Sequence, residues 1–99
     1  MSKPYVVHFG PAAERAYEKL PARTRGRVRT SLERLAADLA GPERIHGKRV
    51  KTIRGAADSF HRLRVGDYRV MFDLIESDQV VLVLGIVHRR DLERWLRSR

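Results

Sequence analysis

The chain has 99 residues, 21 Lys and Arg against 12 Asp and Glu, a net charge of +9, 42% hydrophobic residues and no cysteine. That length fits one domain spanning residues 1–99 with one modest core, and the apolar fraction argues against disorder. The missing cysteines exclude disulfides and thiolate metal sites and suit a reducing cytoplasm. No apolar run approaches the roughly 20 residues of a membrane span, and residues 1–4 lack the shape of a signal peptide.

In chain order, residues 5–9 are expected as a strand, with Val6, Val7 and Phe9 supplying β propensity. Gly10 and Pro11 break it, and Pro11 suits the first turn of a helix over 12–20, where Ala13, Ala16, Tyr17 and Leu20 share a face. Pro21 separates it from a second helix over 22–39, striped by Val28, Leu32, Leu35, Ala36 and Leu39. The other face of that helix carries Arg23, Arg25, Arg27, Arg29 and Arg34, which reads as an ordinary solvated surface. Gly41 and Pro42 stop the helix. Residues 45–59 are loop-rich, with a short strand around 50–53. Residues 60–65 and 68–75 form a hairpin around Gly66 and Asp67, where glycine at the first central position fits a type II′ turn. Residues 76–79 make the next turn. Residues 80–87 are apolar on both faces, the mark of a central strand. Residues 89–97 read as a terminal helix with Leu92, Trp95 and Leu96 along one side. The sum is an α+β fold: an antiparallel β-sheet with an N-terminal helical hairpin on one face and a short C-terminal helix.

The positive charge is clustered. Between residues 41 and 69 stand Arg44, Lys48, Arg49, Lys51, Arg54, Arg62, Arg64 and Arg69 against Glu43, Asp58 and Asp67, whereas residues 70–87 carry no cation. Arginine's planar fork suits phosphate, and an excess of this kind draws a protein toward polyanions. Nucleic acid is therefore the favoured partner, with Lys48, Arg49, Lys51, Arg54 and Arg89 as candidate RNA-binding residues.

Side chains alternate across a strand, so the hairpin divides into faces. A two-residue turn opposes Val65 to Tyr68 and Arg64 to Arg69. One face then holds Leu63, Val65, Tyr68, Val70, Phe72 and Leu74, which belongs on the helices. The other holds Arg62, Arg64, Arg69, Met71 and Asp73. Like charges opposed across a strand pair destabilise by about 0.2–1 kcal/mol, and an anionic ligand between them supplies the missing reason. A four-residue second turn pairs residue 75 with 80 and, counted back, Met71 with Leu84 and Arg69 with Ile86. That register puts Ile86 and His88 on the arginine face, and Arg90 too if the chain stays extended. His61 falls on the core face and reads as structural.

Arg62, Arg64, Arg69, His88 and Arg90 on one patch would suit cleavage of RNA. The 2′-hydroxyl is an internal nucleophile, so the chemistry needs cations around the phosphate and groups to move two protons rather than a metal. Histidine titrates in the useful range. The four histidines His8, His46, His61 and His88 lack metal-ligand spacing, no nucleotide-binding glycine motif is present, and no cofactor is expected. Leu82, Leu84 and Ile86 would form, with Met71, an apolar strip on the same face and a landing site for an acidic protein partner, unless Trp95 and Leu96 fold back over it.

The run from Phe60 to Phe72, FHRLRVGDYRVMF, resembles the hairpin motif of the RelE/ParE toxin superfamily of type II toxin–antitoxin systems, and VHRRD at 87–91 resembles the segment after the last strand in many RelE members. The boundary at Lys19, Leu20 and Pro21 is similar as well. The resemblance implies a RelE-like fold and a toxin held by a cognate acidic antitoxin. It implies a metal-independent endoribonuclease that cuts mRNA in the A site of the 70S ribosome, in the cytoplasm and without a membrane. On that pattern Arg62 and Arg64 match basic hairpin positions, Arg69 the phosphate-facing arginine, Arg90 the arginine after the last strand, and His88 a proton-transfer histidine of some members. Several RelE-type nucleases have a catalytic tyrosine in the last helix or tail. Here no tyrosine follows Tyr68, and Trp95 and Leu96 lie near that place. The alternative implied activity is that of the ParE branch, which poisons DNA gyrase without cutting RNA.

Overall fold

A computed structural model describes residues 4–40, 50–53 and 60–98. In order they form β1 (Val6–Phe9), α1 (Pro11–Lys19), α2 (Ala22–Leu39), β2 (Val50–Ile53), β3 (Phe60–Val65), β4 (Tyr68–Ile75), β5 (Val80–His88), a single 3-10 turn (Arg89–Asp91) and α3 (Leu92–Arg97). Pro11 opens α1, where a missing N–H is harmless. The α1–α2 turn is tied by Arg25, whose guanidinium donates to the carbonyls of Glu18 and Leu20 at 3.2 and 3.1 Å. The five stripe residues of α2 are all buried. The expected fold class stands: α+β, with the helical hairpin on one face of the sheet and a short terminal helix.

The strand order is β1-β5-β4-β3-β2. Strands β2 to β5 pair antiparallel in sequence, but β1 adds parallel to the far side of β5, so the sheet is mixed and not wholly antiparallel as the sequence predicts. Cover on both faces, the helical hairpin on one and α3 on the other, explains why β5 is apolar on both. The helix-facing layer sets Leu63, Val65, Val70, Phe72, Val81, Val83 and Ile86 against Val28, Leu32, Leu35 and Ala36. Phe72 is wholly buried there, with His61 stacked beside it at 5.2 Å. On the opposite face α3 folds back over Phe60, Met71, Leu84 and Val87. Its Trp95 meets Phe60 edge to face at 5.7 Å. Gly85 makes this closure possible, because a Cβ there would lie 2.5 Å from the indole nitrogen.

The β3–β4 register is the expected one, with Val65 opposite Tyr68 and Arg64 opposite Arg69. Gly66 takes φ +58°, the left-handed conformation that a type II′ turn asks of its first central residue. The β4–β5 register departs from expectation. From Ile75–Val80 to Phe72–Val83 the pairs are as counted, but Met71 then pairs with Gly85, Arg69 with Val87 and Tyr68 with His88. Leu84 is an extra residue in β5, a β-bulge, and every residue after it changes face. Ile86 accordingly lies in the helix-side core and not on the arginine face. The proposed apolar strip is broken: Leu84 lies under α3, and Leu82 alone keeps its expected place, opposite Asp73.

Candidate functional site

The β3–β4 hairpin fixes the site. Arg64 and Arg69 face each other one pair back from Val65–Tyr68, the last pair before the Gly66-Asp67 turn, on the side away from the helices. Arg62 follows one step along the same face, and β2 places Lys51 opposite Arg62 in backbone register. Lys48, Arg49 and Arg54 lie outside the described residues.

The bulge and the 3-10 turn decide which later residues join. His88 stands opposite Tyr68 on the helix side, with ring centroids 5.4 Å apart. It is not on the arginine face as the unbulged register predicts. Its Nδ1 accepts a hydrogen bond from the Arg90 backbone N–H at 3.2 Å, capping the 3-10 turn. Extended alternation ends there, so Arg90 does not reach the cluster and Arg89 does. The Arg89 N–H donates to the Asp67 carbonyl at 2.7 Å, which pins the turn to the hairpin tip, and its Nε lies 3.8 Å from the Asp67 carboxylate.

A cleft of about 580 Å³ opens at this tip, bounded by Arg27 and Ser31 of α2, by Arg64 and Arg69, by Gly66 and Asp67, and by Arg89. Four of these are arginines and one is an aspartate. Partial burial and the guanidinia of Arg62, Arg64 and Arg89 push Arg69 below the ordinary arginine value, with Asp67 acting the other way. It remains a cation at neutral pH. Its Nη1 donates to the carbonyls of Gly66 and Tyr68 at 3.0 and 2.9 Å, which fixes the fork and leaves Nε–H and Nη2 for a ligand. A rigid fork beside two further guanidinia, with one carboxylate as counter-charge, has the chemistry to hold an oxyanion.

Sequence alternation located Arg62, Arg64 and Arg69. It missed Arg27, Ser31 and Asp67 as cleft residues and assigned Arg90 the place that Arg89 takes. A signal for Arg27 and Ser31 exists: each directly precedes a buried stripe residue, Val28 or Leu32, and so borders the face that meets the sheet.

The family model for the ParE toxin of the type II toxin–antitoxin system parDE matches residues 7–93. The chain belongs to this toxin family. Within the RelE/ParE superfamily its fold also resembles RelE structures. A chain of the archaeal RelE–RelB complex from Pyrococcus horikoshii is 25% identical, with a TM-score of 0.67 over 88% of this chain and 97% of that one. A chain of the toxin–antitoxin complex RelBE2 from Mycobacterium tuberculosis is 27% identical, with a TM-score of 0.61 over 88% of the toxin and 100% of that chain. The isolated RelE toxin of E. coli, at 22% identity, shares the fold with a TM-score of 0.64 over 96% and 99%. A search of the curated proteins finds no match. No described helix of the toxin is long and apolar enough to cross a membrane.

Proposed function

We propose that this toxin is an endoribonuclease that cleaves mRNA in the ribosomal A site by attack of the 2′-hydroxyl, without a metal. The observation that carries this reading is the convergence of Arg64, Arg69 and Arg89 on one cleft, with Arg62 close enough to act on Arg69. Their guanidinia offset the charge that builds on the phosphate in the transition state. No imidazole or phenol lines the cleft among the described residues. Its contribution is therefore electrostatic. As the 2′-oxygen bonds to phosphorus and the bond to the 5′-oxygen breaks, water takes up the 2′-hydroxyl proton and returns one to the leaving 5′-oxygen. The cleft suits a substrate already held in reactive geometry by a host such as the ribosome. Lys48, Arg49, Lys51 and Arg54 stay in this proposal as RNA-binding residues on the strength of their charge in the sequence.

His88 and Arg90 act at one remove in this scheme. His88 is a positioning residue that caps the turn presenting Arg89. His88→Ala should lower cleavage, and His88→Asn, which also caps a helix start well, should restore most of it. A proton-transfer role would leave both variants equally impaired. The antitoxin is the partner class of the RelE–RelB complexes, and for this toxin we propose an acidic one drawn by the net charge of +9.

A ParE-like action on DNA gyrase is the second reading, favoured by the family match over residues 7–93 and by a cleft that no imidazole or phenol lines among the described residues. Induced expression in growing cells with 5′-end mapping of mRNA separates the two. Cuts at codon positions, absent in Arg69→Ala, support the nuclease. DNA damage with intact mRNA overturns it.

A further inference from the structure

The cleft does not end at the arginine cluster. It continues around the hairpin tip to α2, where Arg27 and Ser31, one helical turn apart, form its far wall. Arg27 reaches the tip itself: both terminal nitrogens lie 3.1 Å from the point a Cβ on Gly66 would occupy. The carbonyl of the same Gly66 accepts from Arg69. The glycine thus stands between two guanidinia, one from each side of the sheet, and its missing side chain keeps the passage open. Arg25, two residues earlier, is used up in tying α1 to α2. The Arg27 side chain has no ion pair or hydrogen bond among the described residues. At about 580 Å³ the cleft has the size of a small-molecule site and exceeds what one phosphate fills.

We infer that Arg27 and Ser31 form a second phosphate subsite, so that the cleft holds two neighbouring phosphates of a single RNA strand passing around the hairpin tip. This rests on the reading of Arg64, Arg69 and Arg89 as an RNA-phosphate site. Arg27 supplies a fork for the non-bridging oxygens of the second phosphate, and the Ser31 hydroxyl a neutral donor beside it. Asp67, paired with Arg89, is the carboxylate at the tip.

The test is a calorimetric titration of the full chain, at fixed ionic strength, with adenosine 3′,5′-bisphosphate and with the adenosine 3′- and 5′-monophosphates. The parent should bind the bisphosphate roughly tenfold more tightly than either monophosphate, as expected for one more charge-assisted contact. Arg27→Gln should erase that advantage, so that the bisphosphate binds no more tightly than the monophosphates. Ser31→Ala should reduce it, and Arg69→Ala should weaken all three ligands. An undiminished advantage in Arg27→Gln overturns the subsite while the arginine-cluster reading stands. The subsite is overturned in the same way if Arg27→Gln only lowers the melting temperature, as a structural brace would, or only weakens antitoxin binding. A parent that binds none of the three ligands overturns the cluster reading and the subsite with it.

Discussion

The two faces of the β3–β4 hairpin share one backbone and follow opposite physics. Toward the helices, Leu63, Val65, Val70 and Phe72 close into a core in which Phe72 and Val70 have no exposed surface. One step along in sequence, Arg62, Arg64 and Arg69 turn the other way, with Arg64 set directly against Arg69. Burial of a large apolar side chain stabilises by about 1.5–3 kcal/mol. An opposed like-charge pair subtracts about 0.2–1 kcal/mol. Stability and charge are therefore separated by single-residue alternation, and substitutions at adjacent positions should divide cleanly between folding and function.

The largest effect should come from the core side. Phe72→Ala should cost about 3–5 kcal/mol, a large part of the ~5–15 kcal/mol available to a domain. Chemical denaturation measures it, and a loss under ~1 kcal/mol would mean that this face is not the fold's anchor. Next is the closure of α3 on the arginine side. Gly85→Val drives a side chain into Trp95 and should destabilise by roughly 1–3 kcal/mol. Trp95 is the sole tryptophan, so its fluorescence should shift toward that of an exposed indole. Unchanged emission would show that α3 re-seats without strain.

Smaller in stability, though large in activity, is the arginine pair. Arg64→Ala and Arg69→Ala should abolish toxicity while leaving the melting temperature equal or higher, because each removes a repulsion across the strands. A clear loss of stability in both would make these arginines structural and remove the contrast between the faces. The smallest effect should be one of pH. Burial holds the His61 imidazole below its ordinary value of 6.5, with Asp73 acting the other way. The folded state then binds this proton more weakly than the unfolded chain does. The stability it secures is complete above pH 6.5 and declines as pH falls from there through the folded value. Melting curves between about pH 7.5 and about pH 5.5 should show this decline, and His61→Phe should flatten it. An equal decline in the variant would assign the pH dependence to another group.

Sequence alone determined most of this architecture. Period-3.6 stripes located both N-terminal helices, β-prone and apolar runs bounded by turn residues located the strands, period-2 alternation divided the hairpin into faces, and Gly66-Asp67 set its register, because each of these signals is local and is enforced by backbone geometry. Arg62, Arg64 and Arg69 were legible for the same reason. Tertiary structure alone decided the rest. The bulge at Leu84 lies next to Gly85, against which α3 packs Trp95, and no local pattern marks it. That one extra residue moved His88 and Ile86 to the helix side and brought Arg89 into the cleft in place of Arg90. Arg27 and Ser31 joined the site only when α2 crossed the hairpin tip, a meeting of segments about 40 residues apart that intervening loops permit but local periodicity does not encode.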